Sequence, residues 1–443
     1  MNKTVKEGQV FQIEHTALLK SKVLNWLKQF NTFCFLDSCD FSGQEFDFIA
    51  GAGARSLFAS SSPDALSGFK VYTTQKKEWL FGHLGYELRT GNPVMHSQKE
   101  DALCFPDICF FEPEIVVQLK GTQLHISAAA PRAVFDQIKS TATGTDPVAG
   151  SVAGIRSRVD RQEYIAAIEQ LQRHIHRGDC YEINYCVEFF AERAMIAPFE
   201  IYRRLMELTP APFASLYRLN EKWLICASPE RYLKKQGQHL MSQPIKGTLS
   251  RQARNEADLI RERAALFRSE KDRAENVMIV DLVRNDLSRI CREGTVKVDE
   301  LFGIYSFAQV HQMISTVSGE VASTLTLPEI LEATFPMGSM TGAPKISVVQ
   351  LIDRYEKNKR GIFSGAVGYI KPDGDFDLNV VIRSLMYNSA TSYLSYKAGS
   401  GITIYSDPGK EWEECLLKAK AIGAVLKGMG ASGMGLSVET GAF

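Results

Sequence analysis

The pattern of apolar and polar positions breaks most clearly near Ser140–Gly154. Before it, FCFLDSC and ICFFEPEIVVQLKGTQLHISAA are rich in aromatic and β-branched residues and predict strands, the second pair turning near Lys120–Gly121. The stretch from Lys76 to Gly91 is aromatic and interrupted by Gly, and this half shows no catalytic constellation. Ser140–Gly154 (STATGTDPVAGSVAG) is small, polar and Gly-rich, which predicts a surface linker or excursion. After it, Asp160 and Glu163 form a capping-box pattern, and Ile165, Ile168, Leu171 and Ile175 keep helical spacing up to Gly178. Strands are predicted at Tyr185–Phe190 and Trp223–Ala227, and charged helices at Asn255–Phe267 and Glu270–Ile290. A hairpin turns at Pro372–Asp375, and the strand SYLSYKAGSGITIYS carries a Gly-rich interruption. The last helix starts at Asp407–Pro408, an N-cap followed by Pro at the first helical position. Strands and helices mix without regular βαβ alternation, so the fold class is α+β.

Length and charge narrow the class. A chain of 443 residues exceeds one ordinary core. Lys+Arg 51 balances Asp+Glu 51, which gives no pull toward nucleic acid or an anionic membrane. No apolar run reaches the roughly 20 residues that span a bilayer, and the N-terminus lacks the apolar segment of a secretory signal, so a cytoplasmic protein is expected. Nine Cys without C-x-x-C read as packed thiols rather than a disulfide framework or a thiolate zinc site.

Four constellations carry chemistry. Asp272 and Glu275 lie three apart on one predicted helix, and Glu411 and Glu414 repeat that spacing on another. Hard oxygen donors of this kind suit Mg²⁺, although a solvated charged face explains any one such pair taken alone. Lys246, between Pro244 and Gly247, is expected on a turn; as a nucleophile it would need its pKa lowered from about 10.4, with Arg251 a candidate influence. Glu230 follows the apolar strand WLICA and is placed for acid–base work, or for pairing with Arg231. The small residues Gly399, Ser400 and Gly401 allow close backbone approach to a carboxylate, or form a bulge. GSMTGAPK, residues 338–345, is a Gly-rich loop entering a helix, without P-loop spacing. Arg383 is a candidate for bidentate carboxylate binding.

SPERYL, PIKGT, KDRAENVMIVDLVRNDL, GSMTGAPK, RGIFSGAVGYI, IRSL, AGSGI and SDPGKEWEE follow in this order. Together they resemble the chorismate-utilising enzymes, and among them component I of the aminodeoxychorismate synthases. The resemblance is dense from about residue 155 to 428 and loose before it. It implies two antiparallel β-sheets packed with helices around a deep cleft. An N-terminal region, 1–150, would complete a sheet, and a chorismate-binding catalytic region would span 155–430. It implies Glu275 and Glu414 as principal Mg²⁺ ligands, with Asp272 and Glu411 as second carboxylates. Arg383 and the amides around Gly399, Ser400 and Gly401 would take the enolpyruvyl carboxylate, and Thr341 and Gly342 would line the ring.

The resemblance also separates reactions. Anthranilate synthases usually carry Ala where PIKGT has Lys246. Isochorismate and salicylate synthases place a base Lys on an earlier strand, where this chain reads GDCYEINYCVEF. Lys246 therefore implies the aminodeoxychorismate branch. There Lys adds at ring C2 as the C4 hydroxyl leaves, ammonia adds at C4, and Glu230 is general acid/base. Gln312, beside His311, stands where relatives often carry a His. No glutaminase elbow is present, so a separate glutamine amidotransferase and a separate lyase, completing 4-aminobenzoate for folate synthesis, are implied. Anthranilate synthase component I is the alternative, and a non-catalytic chorismate-binding subunit a remote one. FLDSCDF, residues 35–41, lies roughly where some relatives bind tryptophan.

Overall fold

The computed structural model describes residues 6–427 other than 89, 91–96, 145–151, 153 and 308–309. Most of the linker expected at 140–154 therefore lies outside the described residues. Among the described residues every strand pairing is antiparallel, and ten α-helices cover the sheets.

The architecture turns on two long strands of the N-terminal third, Phe48–Ser60 and Ile108–Lys120, which pair along their length. The second half of Ile108–Lys120 pairs with Gln123–Ala128, and its first half with Leu80–Leu84. The ladder divides there into two arms. One arm passes through Thr32–Asp37 to Phe213–Leu219, Lys222–Ser228, Ser384–Asn388, Tyr393–Ile402 and Glu182–Ala191. The other runs from Leu80–Leu84 through Ala366–Ile370 and Phe376–Val380 to Arg231–Gln236, His239–Gln243 and Val310–Glu320. Residues before 130 thus hydrogen-bond into both arms and complete them. The α+β reading with two antiparallel layers and helices holds.

One apolar cluster lies on the first arm, and a second joins both arms, drawing Phe190, Tyr217, Leu224 and Met386 from the first. One packs the helices Thr16–Leu27, Arg161–Arg177, Pro198–Leu208 and Pro408–Lys427 on the first arm; the other packs Ala65–Thr74, Glu270–Ser288 and Leu327–Thr334 on the second. Local signals explain the boundaries. Asp160 accepts from the Glu163 amide while Glu163 reaches back to the Asp160 amide, and Gly178 closes the helix in the left-handed region (φ 85°). Asn255 and Ser269 cap the helices Glu256–Arg268 and Glu270–Ser288 through their side chains. Asp407 accepts from the Lys410 amide at the start of the last helix.

Two sequence motifs prove to be one clamp. Asp286 of VDLVRNDL and Lys345 of GSMTGAPK form a buried ion pair of 2.6 Å, and Lys345 also donates to the Thr334 carbonyl. This ties the entry of the Lys345–Tyr355 helix to Glu270–Ser288. Arg360, wholly buried, donates to Glu356, to the Asn184 carbonyl and to the Met340 carbonyl, and stacks on Tyr86 at 4.5 Å.

Candidate active site

Strand alternation builds the centre of the site. In Glu182–Ala191, residues Ile183, Tyr185, Val187 and Phe189 enter the first apolar cluster, and Glu182, Asn184, Cys186 and Glu188 turn to the opposite face. Tyr393–Ile402 pairs alongside, with Gly401 opposite Asn184 and Gly399 opposite Cys186. The ladder from Leu394 to Ile402 runs without a register shift, so AGSGI is no bulge. Its glycines instead clear space. A Cβ at Gly401 would sit 2.6 Å from Lys246 Nζ and 2.7 Å from Glu182 Oε1. A Cβ at Gly399 would meet the Tyr185 carbonyl and Cys186 Sγ. Ser400 points the other way: its hydroxyl lies 3.2 Å from that of Tyr164 in the core.

Lys246 stands on the strand Ile245–Ser250, not on a turn. The pairing with Val310–Glu320 shifts register between Ile245 and Thr248, and Gly247 adopts φ 94°, so the lysine rides a bulge. Its ammonium forms a short ion pair with Glu182 Oε1, the two side chains 10% and 2% exposed. Burial pulls the Lys246 pKa down, but the charges of Glu182, Glu275 and Glu230 outweigh it and hold the ammonium well above its ordinary value. The expected depression is therefore reversed: Arg251 donates to the Phe307 carbonyl instead. Glu182 escaped the sequence reading. The signal was present as a lone carboxylate opening an apolar strand, since a buried charge must be paired.

Glu230 occupies the turn after Lys222–Ser228, buried, its amide donating to Ser228 Oγ. Arg231 does not neutralise it; that guanidinium pairs with Asp377 at 2.9 Å. Desolvation raises the Glu230 carboxyl to about 7, against the opposing pull of Ser339 and Lys246. It is protonated or titrating near neutrality, as an acid catalyst requires.

Lys271 brings one carboxylate of each helix near the other. Lys271 Nζ lies 3.8 Å from Glu275 Oε1 and 3.5 Å from Glu411 Oε1, bridging Glu270–Ser288 and Pro408–Lys427. Glu275 is raised to about 7 by burial, with Lys246 opposing, and its Oε1 is buried without a hydrogen-bond partner among the described residues. Glu414 pairs with Lys418 at 2.6 Å, which outweighs burial and lowers its pKa; Lys418 also donates to the Gly399 carbonyl. Asp272 accepts from Ser269 Oγ and lies against Gly247. Among the described residues no three His, Cys, Asp or Glu side chains are gathered tightly enough to hold an ion. The donor chemistry, all carboxylate and with one orphaned buried oxygen, fits Mg²⁺.

Arg383 joins Phe376–Val380 to Ser384–Asn388 with φ 52°. Desolvation lowers its pKa, with Glu414 opposing, and it forms no ion pair among the described residues. Thr341 is fully buried and its hydroxyl donates to the Met337 and Gly338 carbonyls, so its side chain is engaged by the turn. Gly342 (φ 143°) pairs with Ile183 so closely that a Cβ would meet the Glu182 carbonyl at 2.0 Å. His311 uses both ring nitrogens on Ser306 and Glu262, whereas Gln312 leaves Oε1 buried and without a hydrogen-bond partner among the described residues.

The family model for chorismate binding enzyme matches residues 28–424. The chain belongs to this family. It is 34% identical over 361 residues to an anthranilate synthase component I-like protein of Synechocystis, covering 79% of this chain and 73% of that one. It is 37% identical over 281 residues to aminodeoxychorismate synthase component 1 of Klebsiella aerogenes, covering 63% of this chain and 61% of the relative. Among solved structures, anthranilate synthase component I of Streptococcus pneumoniae superposes with a TM-score of 0.75 at 24% identity, covering 88% of this chain and 92% of that one. That likeness shows the fold.

Proposed function

We propose that the chain acts as component I of an aminodeoxychorismate synthase, converting chorismate and ammonia into 4-amino-4-deoxychorismate. The observation that carries this reading is Lys246, a buried amine facing Glu182, Glu230 and Gly401. A lysine here supplies a nucleophile that direct attack by ammonia would not need.

In this reading chorismate's enolpyruvyl carboxylate pairs with Arg383, aided by the small-residue strand at Gly399–Gly401. Glu275 and Glu414, with Asp272 and Glu411, would hold Mg²⁺, which when bound neutralises the ring carboxylate. Glu230 donates its proton to the C4 hydroxyl as water departs, and Lys246 forms the bond to C2. Ammonia then bonds to C4, the C2–N bond breaks, and the product keeps its enolpyruvyl group. Gln312, in place of a His on that strand, agrees with retention of that group.

No described helix is long and apolar enough to cross a membrane, and we place the reaction in the cytoplasm. Ammonia would come from a separate glutamine amidotransferase, and a separate lyase would complete 4-aminobenzoate.

The test is product identity. The chain is incubated with chorismate, Mg²⁺ and an ammonium salt, with and without aminodeoxychorismate lyase. Lyase-dependent 4-aminobenzoate is expected. Anthranilate formed without lyase would establish the alternative, anthranilate synthase component I. Mg²⁺-dependent binding of chorismate with no product, even with a glutaminase supplied, would indicate a binding subunit.

A further inference from the structure

Lys246 attacks carbon only as a free amine, yet the site holds it as an ammonium. Some group must take that proton, and it must touch the nitrogen. Four carboxylates surround the lysine electrostatically: Glu182 from the Glu182–Ala191 strand, Glu275 and Glu414 from two helices, and Glu230 from the turn before Arg231. Glu182 alone is within hydrogen-bond reach of Nζ among the described residues, and it approaches from the side that Gly401 leaves open. The other three are assigned elsewhere in the reaction: Glu230 faces the departing hydroxyl, and Glu275 and Glu414 belong to the cation-binding helices.

We propose that Glu182 is a catalytic residue that takes the proton from Lys246 and later returns it. The proposal rests on the synthase reading above. The Lys246 ammonium passes a proton to the Glu182 carboxylate, giving a neutral amine beside a carboxylic acid. The freed lone pair bonds to C2, the double bond shifts, and the C4–O bond breaks, with the hydroxyl leaving as water on the Glu230 proton. Ammonia bonds to C4 as the C2–N bond breaks, and Lys246 departs as the amine. The C4 ammonium gives a proton back to Glu230, and Glu182 returns its proton to Lys246. One ammonia is consumed and one water released, with both carboxyl groups restored.

Burial gives this transfer its direction. A charged pair in a site emptied of water is stable only while its partners hold it, and converting it to a neutral pair removes two buried charges at once. Arrival of a carboxylate-bearing ring over Gly401 excludes the remaining water. The proton therefore moves within the site, without release to solvent.

The experiment compares the full chain with Glu182→Gln and Glu182→Asp at saturating ammonium and Mg²⁺. Two quantities are read: the pH dependence of kcat for 4-amino-4-deoxychorismate, and the rate at which formaldehyde with cyanoborohydride methylates Lys246, followed by peptide mass across neutral to alkaline pH. For Glu182→Gln, kcat should fall by about 10²-fold while the KM for chorismate changes little. Methylation of Lys246 should shift to lower pH, because one of its carboxylates is gone. Glu182→Asp should recover part of kcat. Undiminished kcat in Glu182→Gln would overturn the proposal. So would a lowered kcat with an unmoved methylation profile, since the residue would then be structural. Anthranilate from the unsubstituted chain would instead remove the synthase reading itself, and needs no variant to show it.

Discussion

Lys246 and Lys345 are both withdrawn from water against a carboxylate, and the balance of forces differs between them. At Lys345 burial wins: its pKa falls despite Asp286, with the charge of Arg289 adding to the fall, and Asp286 is itself pushed up by burial. At Lys246 burial loses to Glu182, Glu275 and Glu230. One carboxylate does not repay the hydration lost by an ammonium; three do. The first pair is a clamp between helices, and the second holds an ammonium among several carboxylates. Each lysine lies in a conspicuous motif, so only the surroundings tell structure from chemistry.

The comparison can be broken most severely by removing each amine. Lys246→Ala should lower 4-amino-4-deoxychorismate formation by at least about 10³-fold with thermal unfolding little changed. Lys345→Ala should leave Asp286 buried and unpaired, destabilising the fold by about 3–5 kcal/mol in denaturant titration. Its folded fraction should retain turnover at low temperature. Comparable activity loss in both variants at equal stability would erase the distinction.

A smaller effect is expected at Glu230. Its carboxyl titrates at about 7, and the acid form is the donor, so kcat should decline as pH rises through that value. Glu230→Gln should cost about 10²–10⁴-fold and abolish that limb. A pH profile unchanged by the substitution would assign the acid elsewhere.

Arginines sharpen the same contrast. Arg360 is fully engaged by Glu356 and backbone carbonyls, whereas Arg383 forms no ion pair among the described residues. Arg383→Ala should raise the KM for chorismate by about 10–100-fold, the loss of a charge-assisted contact. An unchanged KM would take Arg383 out of substrate binding. The smallest effect should come from replacing the clamp as a pair. Asp286→Leu with Lys345→Met removes both charges, and its loss of stability should be well below that of Lys345→Ala.

Much of this was legible in one dimension. The Asp160–Glu163 box, the Asp407–Pro408 helix start and the hairpin at Pro372–Asp375 are local devices, read from a few neighbouring residues. The spacing of Asp272 with Glu275 and of Glu411 with Glu414 placed each pair on one helix face. What it did not show is that Lys271 would bridge the two helices, because 140 residues of chain separate Lys271 from Glu411. The Pro and Gly neighbours of Lys246 predict a turn; its bulged strand depends on pairing with Val310–Glu320. The direction of its pKa depends on tertiary neighbours for the same reason. The nearby cation in sequence, Arg251, points away, and the nearby anion, Glu182, is 64 residues distant.

Local chemistry therefore determined which segments are helix or strand, which positions carry reactive groups, and, through ordered motifs, the family. Capping, periodicity and turn preference act within a few residues and need no knowledge of the rest of the chain. Tertiary structure decided which groups meet and in what charge state. Electrostatic energy depends on distance and hydration rather than sequence separation, and only the folded ladders bring Glu182, Lys246 and Gly401 together out of water.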